Sequence, residues 1–172
     1  MGLFSSIGKS LLGLALDSTS GVRYVNNSEI NSKIDEFVLR YKLLLKKAYN
    51  IDDKRKITMG FVTAAISVAK ADGNFSNDEV LELLDFIEGS FGHELSREEA
   101  LEFIQEINEA QLELEDVCRL SIELSRRYGE STIDTLRSFI EFIIYIDGKV
   151  HPKELEFLNN WNKTIEIMKS YH

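Results

Sequence analysis

Residues 61–79, FVTAAISVAKADGNFSNDE, and residues 136–154, LRSFIEFIIYIDGKVHPKE, are two copies of one pattern set 75 positions apart. Laid over each other, Phe61 meets Leu136, Ala64 meets Phe139, Ala65 meets Ile140 and Val68 meets Ile143. Asp72-Gly73 then meets Asp147-Gly148, Phe75 meets Val150 and Glu79 meets Glu154. The runs before each Asp-Gly are apolar nearly all round, as in helices buried on most sides. A glycine just past the end of such a helix allows a positive φ that a side chain would resist. Each unit therefore reads as a buried helix, a tight Asp-Gly turn and an acidic amphipathic helix. A solenoid would need three or more repeats, so two copies point to a pseudo-symmetric pair of helical hairpins.

The rest of the chain agrees with an all-α fold. Its 172 residues are one domain's worth, and they hold one proline and ten glycines, four of these in the first 21 positions. So few breakers downstream favour helix after helix. Ile30, Ile34, Phe37, Val38, Tyr41, Leu44, Leu45 and Ala48 recur at three- and four-residue steps, which predicts a long helix over 29–49. Asp52 or Asp53 is placed to cap the next, over 54–71. Capping boxes Ser76–Glu79 and Ser96–Glu99 start two more, the first with a stripe of Val80, Leu83, Leu84, Ile87 and Phe91. Helices over 113–128 and 131–146 follow, and Pro152 opens the last, with Leu155, Leu158, Trp161, Ile165 and Met168 facing inward. The expected architecture is a single bundle of about seven helices over 28–172, preceded by an arm over 1–27. In that arm, 3–16 carries an amphipathic spacing and 17–27 reads as a polar linker.

Charge is unevenly spread. The net charge is −9, yet Asp72 to Asp116 holds fifteen acidic side chains against one basic one, Arg97, leaving the remainder at +5. Such a face reads either as a solvated helix surface kept soluble by its charge or as one that repels nucleic acid and attracts cations or basic partner proteins. Lys33, Arg40, Lys42, Lys46, Lys47, Lys54, Arg55 and Lys56 form the opposite pole. With no nucleic-acid-reading motif beside them, a nucleic-acid partner is not expected. The apolar stretch 1–16 is too short to span a membrane and lacks a secretory pattern; it suits either a self-packed arm or a short helix lying on a membrane surface or a partner. The single cysteine, Cys118, fits a reducing compartment, so a cytoplasmic location is expected, and contact through the arm would set the chain at the periphery of the inner membrane.

The segments VAKADGNFSNDEVLELL and IIYIDGKVHPKELEFLNNW resemble the paired DG-x-x-x-x-x-E motifs of the tellurite-resistance TerB-like family, across roughly residues 30–170. The same helical domain is similar to the one on the N-terminal side of DjlA-type co-chaperones. The resemblance implies an all-α bundle with an acidic surface, tied to divalent-cation handling and envelope stress, without an enzymatic reaction. Carried over by position, its acidic residues are Asp72, Glu79, Asp147 and Glu154. Oxygen clusters of this kind suit Ca²⁺ or Mg²⁺. The same residues also suit a purely structural role: the glutamates at N3 can reach back to the N-cap amide, and the aspartates can satisfy turn amides. Neither turn is an EF-hand, because the glycine falls at the second position of the loop. In the second copy, Lys149 and His151 replace Asn74 and Ser76. Lys149 would compete with a cation at Asp147, and His151 reads either as a plain N-cap residue or as a lean toward Zn²⁺.

Catalytic patterns are missing from the sequence: there is no His-Glu-x-x-His and no phosphate-cradling glycine loop. Cys118 lies between apolar and acidic neighbours, which raises a thiol pKa and suits core packing. Tyr24, Tyr41, Tyr49 and Trp161 read as helix-packing aromatics. Two function classes lead: a cation-binding, partner-docking stress domain, and a metal-free module that dimerises or positions other proteins; a metal-dependent hydrolase using the carboxylates ranks third.

Overall fold

The computed structural model describes residues 23–71, 73, 77–91, 95–146 and 148–171. Among them run β1 (Arg23–Tyr24), α1 (Asn27–Leu45), α2 (Ile51–Ala71), α3 (Asn77–Phe91) and α4 (Arg97–Glu109). They are followed by α5 (Leu114–Tyr128), α6 (Ser131–Ile146), β2 (Lys149–Val150) and α7 (Pro152–Ser170). The fold is all-α, a bundle of seven helices with a two-residue strand pair at one turn. The arm over 1–22 lies outside the described residues.

Local caps explain where the helices begin. The Asn26 side chain accepts the Glu29 N–H at 2.9 Å and starts α1. For α2 the cap is Asn50, whose Oδ1 accepts the Asp53 N–H at 2.9 Å, so neither Asp52 nor Asp53 holds that position. Ser96 Oγ accepts the Glu99 N–H at 3.1 Å, but the Glu99 carboxylate lies 3.8 Å from Arg55. The expected capping box at α4 is therefore only half made. Helix α1 also ends earlier than position 49. The Lys47 and Ala48 amides fall back on Leu44 and Leu45 in a tight turn, while Lys47 Nζ donates to Tyr128 O and Ser131 Oγ, each at 3.1 Å.

The core follows from the buried faces. Helix α2 touches α3, α4, α5, α6 and α7, which is why Ala64, Ala65 and Val68 suit it: small side chains admit close neighbours. Gly60 is the extreme case, since a Cβ there would collide with the Leu124 side chain of α5. Helix α1 lies chiefly along α6 and is tied to it by Lys33 Nζ and Glu141 Oε2 at 2.7 Å. Phe37 of α1 centres an aromatic cluster, its ring 4.7 Å from Phe139, 5.3 Å from Tyr41 and 5.6 Å from Phe142. Phe86 of α3 closes the cluster at 5.1 Å from Phe139. Offset and tilted ring pairs of this kind add roughly 0.5–1.5 kcal/mol beyond their burial.

Three sequence expectations need correction. Leu155 is 37% exposed, whereas Glu154 beside it is only 6% exposed, so the inner stripe of α7 runs Glu154, Leu158, Trp161, Ile165. Tyr49 is 96% exposed and packs no helix. The 17–27 stretch is not wholly linker: Arg23 and Tyr24 pair antiparallel with Val150 and Lys149. The expected core position Phe91 has its side chain outside the described residues.

Candidate functional site

The two Asp-Gly turns share one backbone design. Gly73 and Gly148 have φ of +100° and +77°. Their amides donate to Lys70 O at 2.9 Å and Tyr145 O at 3.0 Å, acceptors that are themselves equivalent under the 75-residue offset. A Cβ on either glycine would meet nothing within 4 Å. Backbone conformation, and not crowding, is what demands glycine at both places.

Of the four expected ligands, Asp72 and Asp147 lie outside the described residues. Glu154 sits at the third position of α7, and its Oε1 accepts the His151 N–H at 3.2 Å, the reach-back half of a capping box. Glu79 occupies the matching position in α3 and is half-buried, while its expected cap Ser76 lies outside the described residues. Among the described residues no three His, Cys, Asp or Glu side chains converge as a ligand set. Carboxylate oxygens match a hard cation chemically. One oxygen of Glu154 is already engaged by its own helix start.

The second turn is tied down from outside. Val25 N–H donates to Gly148 O at 3.0 Å, the β1–β2 pair continues the contact, and Val150 is fully packed in the core.

A third feature lies at the start of the first unit. Asp53 is buried, and its Oδ1 accepts from Tyr128 Oη at 2.6 Å and from Arg127 at 3.2 Å. Its Oδ2 accepts the Tyr49 N–H at 2.9 Å. The Tyr128 hydroxyl, the Tyr49 amide and Arg127 hold the Asp53 carboxyl below the ordinary carboxylate range, against the opposing effect of burial. Burial, then the bond to Asp53, pushes Tyr128 up to about 12. Asp53 opens the first unit and Tyr128 closes the helix before the second, so this bond ties the start of α2 to the end of α5. Reading Asp53 as a cap hid this pair, and no local signal in the sequence places Tyr128 beside it.

Cys118 is buried in the core, and burial followed by Glu115 pushes its thiol up to about 12. That is an inert, packing cysteine.

The class these features define is an all-α bundle built from a duplicated helix–Asp-Gly turn–helix unit. The chain belongs to the tellurite-resistance TerB family: the family model described as Tellurite resistance protein TerB matches residues 58–171. The match opens inside α2 and closes at the end of α7, so it takes in both turns and leaves α1 and β1 ahead of it. No curated protein and no solved structure matches the chain.

Proposed function

We propose that the chain is a non-enzymatic TerB-family module that takes a divalent cation, Ca²⁺ or Mg²⁺, at its paired Asp-Gly turns. Its acidic face docks proteins with basic surfaces. It works in the cytoplasm as part of a stress response, with the arm over 1–16 as its contact to the inner membrane. Asp72 and Asp147 supply the principal oxygens, and Glu79 and Glu154 flank them from the following helices. Lys149 weakens the second turn as a cation site, and His151 makes Zn²⁺ the lesser choice.

The observation that carries this reading is the identical hinge on both sides of the repeat. The Gly73 and Gly148 amides close the same turn onto equivalent carbonyls, at 2.9 and 3.0 Å. A carboxylate before each hinge glycine supplies the kind of oxygen donor that a hard cation takes. A metal-free interaction module of co-chaperone type is the second reading. It is favoured by Glu154, whose oxygen at 3.2 Å from the His151 amide already serves the helix start.

Nuclear magnetic resonance on the ¹⁵N-labelled, chelator-stripped chain tests the choice. Added Ca²⁺ or Mg²⁺ should move the amide signals of both Gly73 and Gly148, saturably. Shifts scattered over the acidic helices without saturation, or none at all, would leave the metal-free module standing.

A further inference from the structure

Helices α2, α3 and α4 leave between them an open groove of about 420 Å³, with Met59, Ile87, Leu95 and Phe103 among its lining. Its α4 wall is a single stripe, Glu99, Glu102, Phe103 and Glu106, at the spacing that puts residues on one helical face. Arg55 takes Glu99 at 3.8 Å. Glu102 and Glu106 have no ion pair among the described residues. The groove is thus an apolar trough with two uncompensated carboxylates along one wall.

Helix α1 carries the converse pattern on its outer face. Leu39, Lys42, Leu43 and Lys46 follow the same spacing. Leu39 is 64% exposed and Leu43 54%, in a helix whose other face is sealed against α6. Lys42 and Lys46 are exposed and have no ion pair among the described residues, whereas their neighbours Arg40 and Lys47 are engaged with Glu36 and with Tyr128 O. Two exposed leucines four apart on a helix ridge are what an apolar groove receives, and two lysines beside them answer two glutamates on its wall.

We infer that the groove takes the α1 ridge of a second copy of this chain, Leu39 and Leu43 entering the trough while Lys42 and Lys46 meet Glu102 and Glu106. This rests on the reading of the acidic face as a docking surface and names one occupant for it. The two faces are different surfaces of the molecule, so the contact is heterologous. Each copy keeps an unused ridge and an unused groove, and assembly continues head to tail unless it closes in a ring. A small contact with charges at its rim is a weak one and is screened by salt, so association grows with protein concentration and fades as ionic strength rises.

Sedimentation of the full chain at increasing concentration, in low and in 0.5 M salt, is the test, with two charge-reversed variants alongside. Wild type should rise from the monomer mass toward at least twice it at low salt, and fall back in high salt. K42E/K46E alone and E102K/E106K alone should each stay monomeric. Mixed together they should associate again, because each ridge then faces an opposite groove. Association of wild type that neither variant weakens, or two inert variants that remain inert when mixed, would overturn the pairing. Wild type that stays monomeric throughout would overturn self-docking. A synthetic amphipathic Leu/Lys peptide then separates the two failures. Peptide bound by wild type and lost in E102K/E106K keeps the acidic face as a docking surface for other basic partners; peptide not bound removes both.

Discussion

The first repeat unit, α2 to α3, and the second, α6 to α7, share a hinge and differ in what surrounds it. Both glycines adopt positive φ and bond back to equivalent carbonyls. Around the second, Val25 seizes the Gly148 carbonyl, β1 pairs with β2, Val150 is buried and Glu154 folds onto its own N-cap. Gly73 of the first is exposed. The cores also diverge. Where α2 has Ala64, which lets several helices close on it, α6 has Phe139, which fills the centre of the aromatic cluster. A duplicated unit can thus keep its backbone while one copy becomes the structural anchor. We expect the other to carry the more available turn.

Making the two copies alike in the core should be the most damaging change. Phe139→Ala should cost about 3–5 kcal/mol, because the space cannot collapse among Phe37, Phe61 and Phe86. Ala64→Phe should cost about 1–3 kcal/mol by overpacking. Urea unfolding of both reads this directly, and a loss under 1 kcal/mol in either would mean the two sites are interchangeable.

Replacing the hinge glycines probes what the copies share. Gly73→Ala and Gly148→Ala should each lose roughly 1–2 kcal/mol, since only the positive φ opposes a side chain there. Near-equal losses would sharpen the equivalence of the hinges. A much larger loss at Gly148 would mean that β1 pairing adds to the demand.

Capping comes next in size. Glu154→Ala should cost about 1 kcal/mol, while Glu154→Gln, which keeps an acceptor for the His151 amide, should retain most of it. If both substitutions cost the same, charge and not the cap is what matters at this position.

The smallest effects should appear at the extremes of pH, at the bond between Asp53 and Tyr128. The lowered Asp53 carboxyl contributes stability that is complete above the ordinary carboxylate range and is lost as pH falls through its native value. The raised Tyr128 contributes stability complete below about 10 and lost as pH climbs from there to about 12. Absorbance at 295 nm should include a late ionisation near 12, and that step should vanish in Tyr128→Phe. Asp53→Asn should flatten the acid limb of stability. A wild-type-like acid limb in that variant would remove Asp53 from this role.

Much of this was legible in the sequence because periodicity and punctuation are local signals. The offset of 75 exposed the paired units, and the apolar runs located α2 and α6. What escaped was set by contacts distant along the chain. Glu154 is buried and Leu155 is not, because the cap turns the glutamate inward, and no periodic pattern would place a charge there. Asp53 looks like a cap beside Asn50; only the fold brings Tyr128 to it. Lys47 looks like one more charge of a basic pole, yet its ammonium closes the end of α5 at Tyr128 O. The pairing of Arg23 and Tyr24 with β2 has no signature in two polar, linker-like residues.

Thermal unfolding of the chelator-stripped chain with Ca²⁺, Mg²⁺, Mn²⁺ or Zn²⁺, beside Asp72→Ala and Asp147→Ala, bears most directly on the paired turns. At ~100 times its Kd a cation should add about 2.7 kcal/mol, a rise of roughly 5–10 °C for a chain of this size. We expect that rise with Ca²⁺ or Mg²⁺, abolished by Asp72→Ala and reduced or abolished by Asp147→Ala. An unchanged melting temperature with every ion, or a rise that both alanine variants keep, would contradict a cation site at the turns.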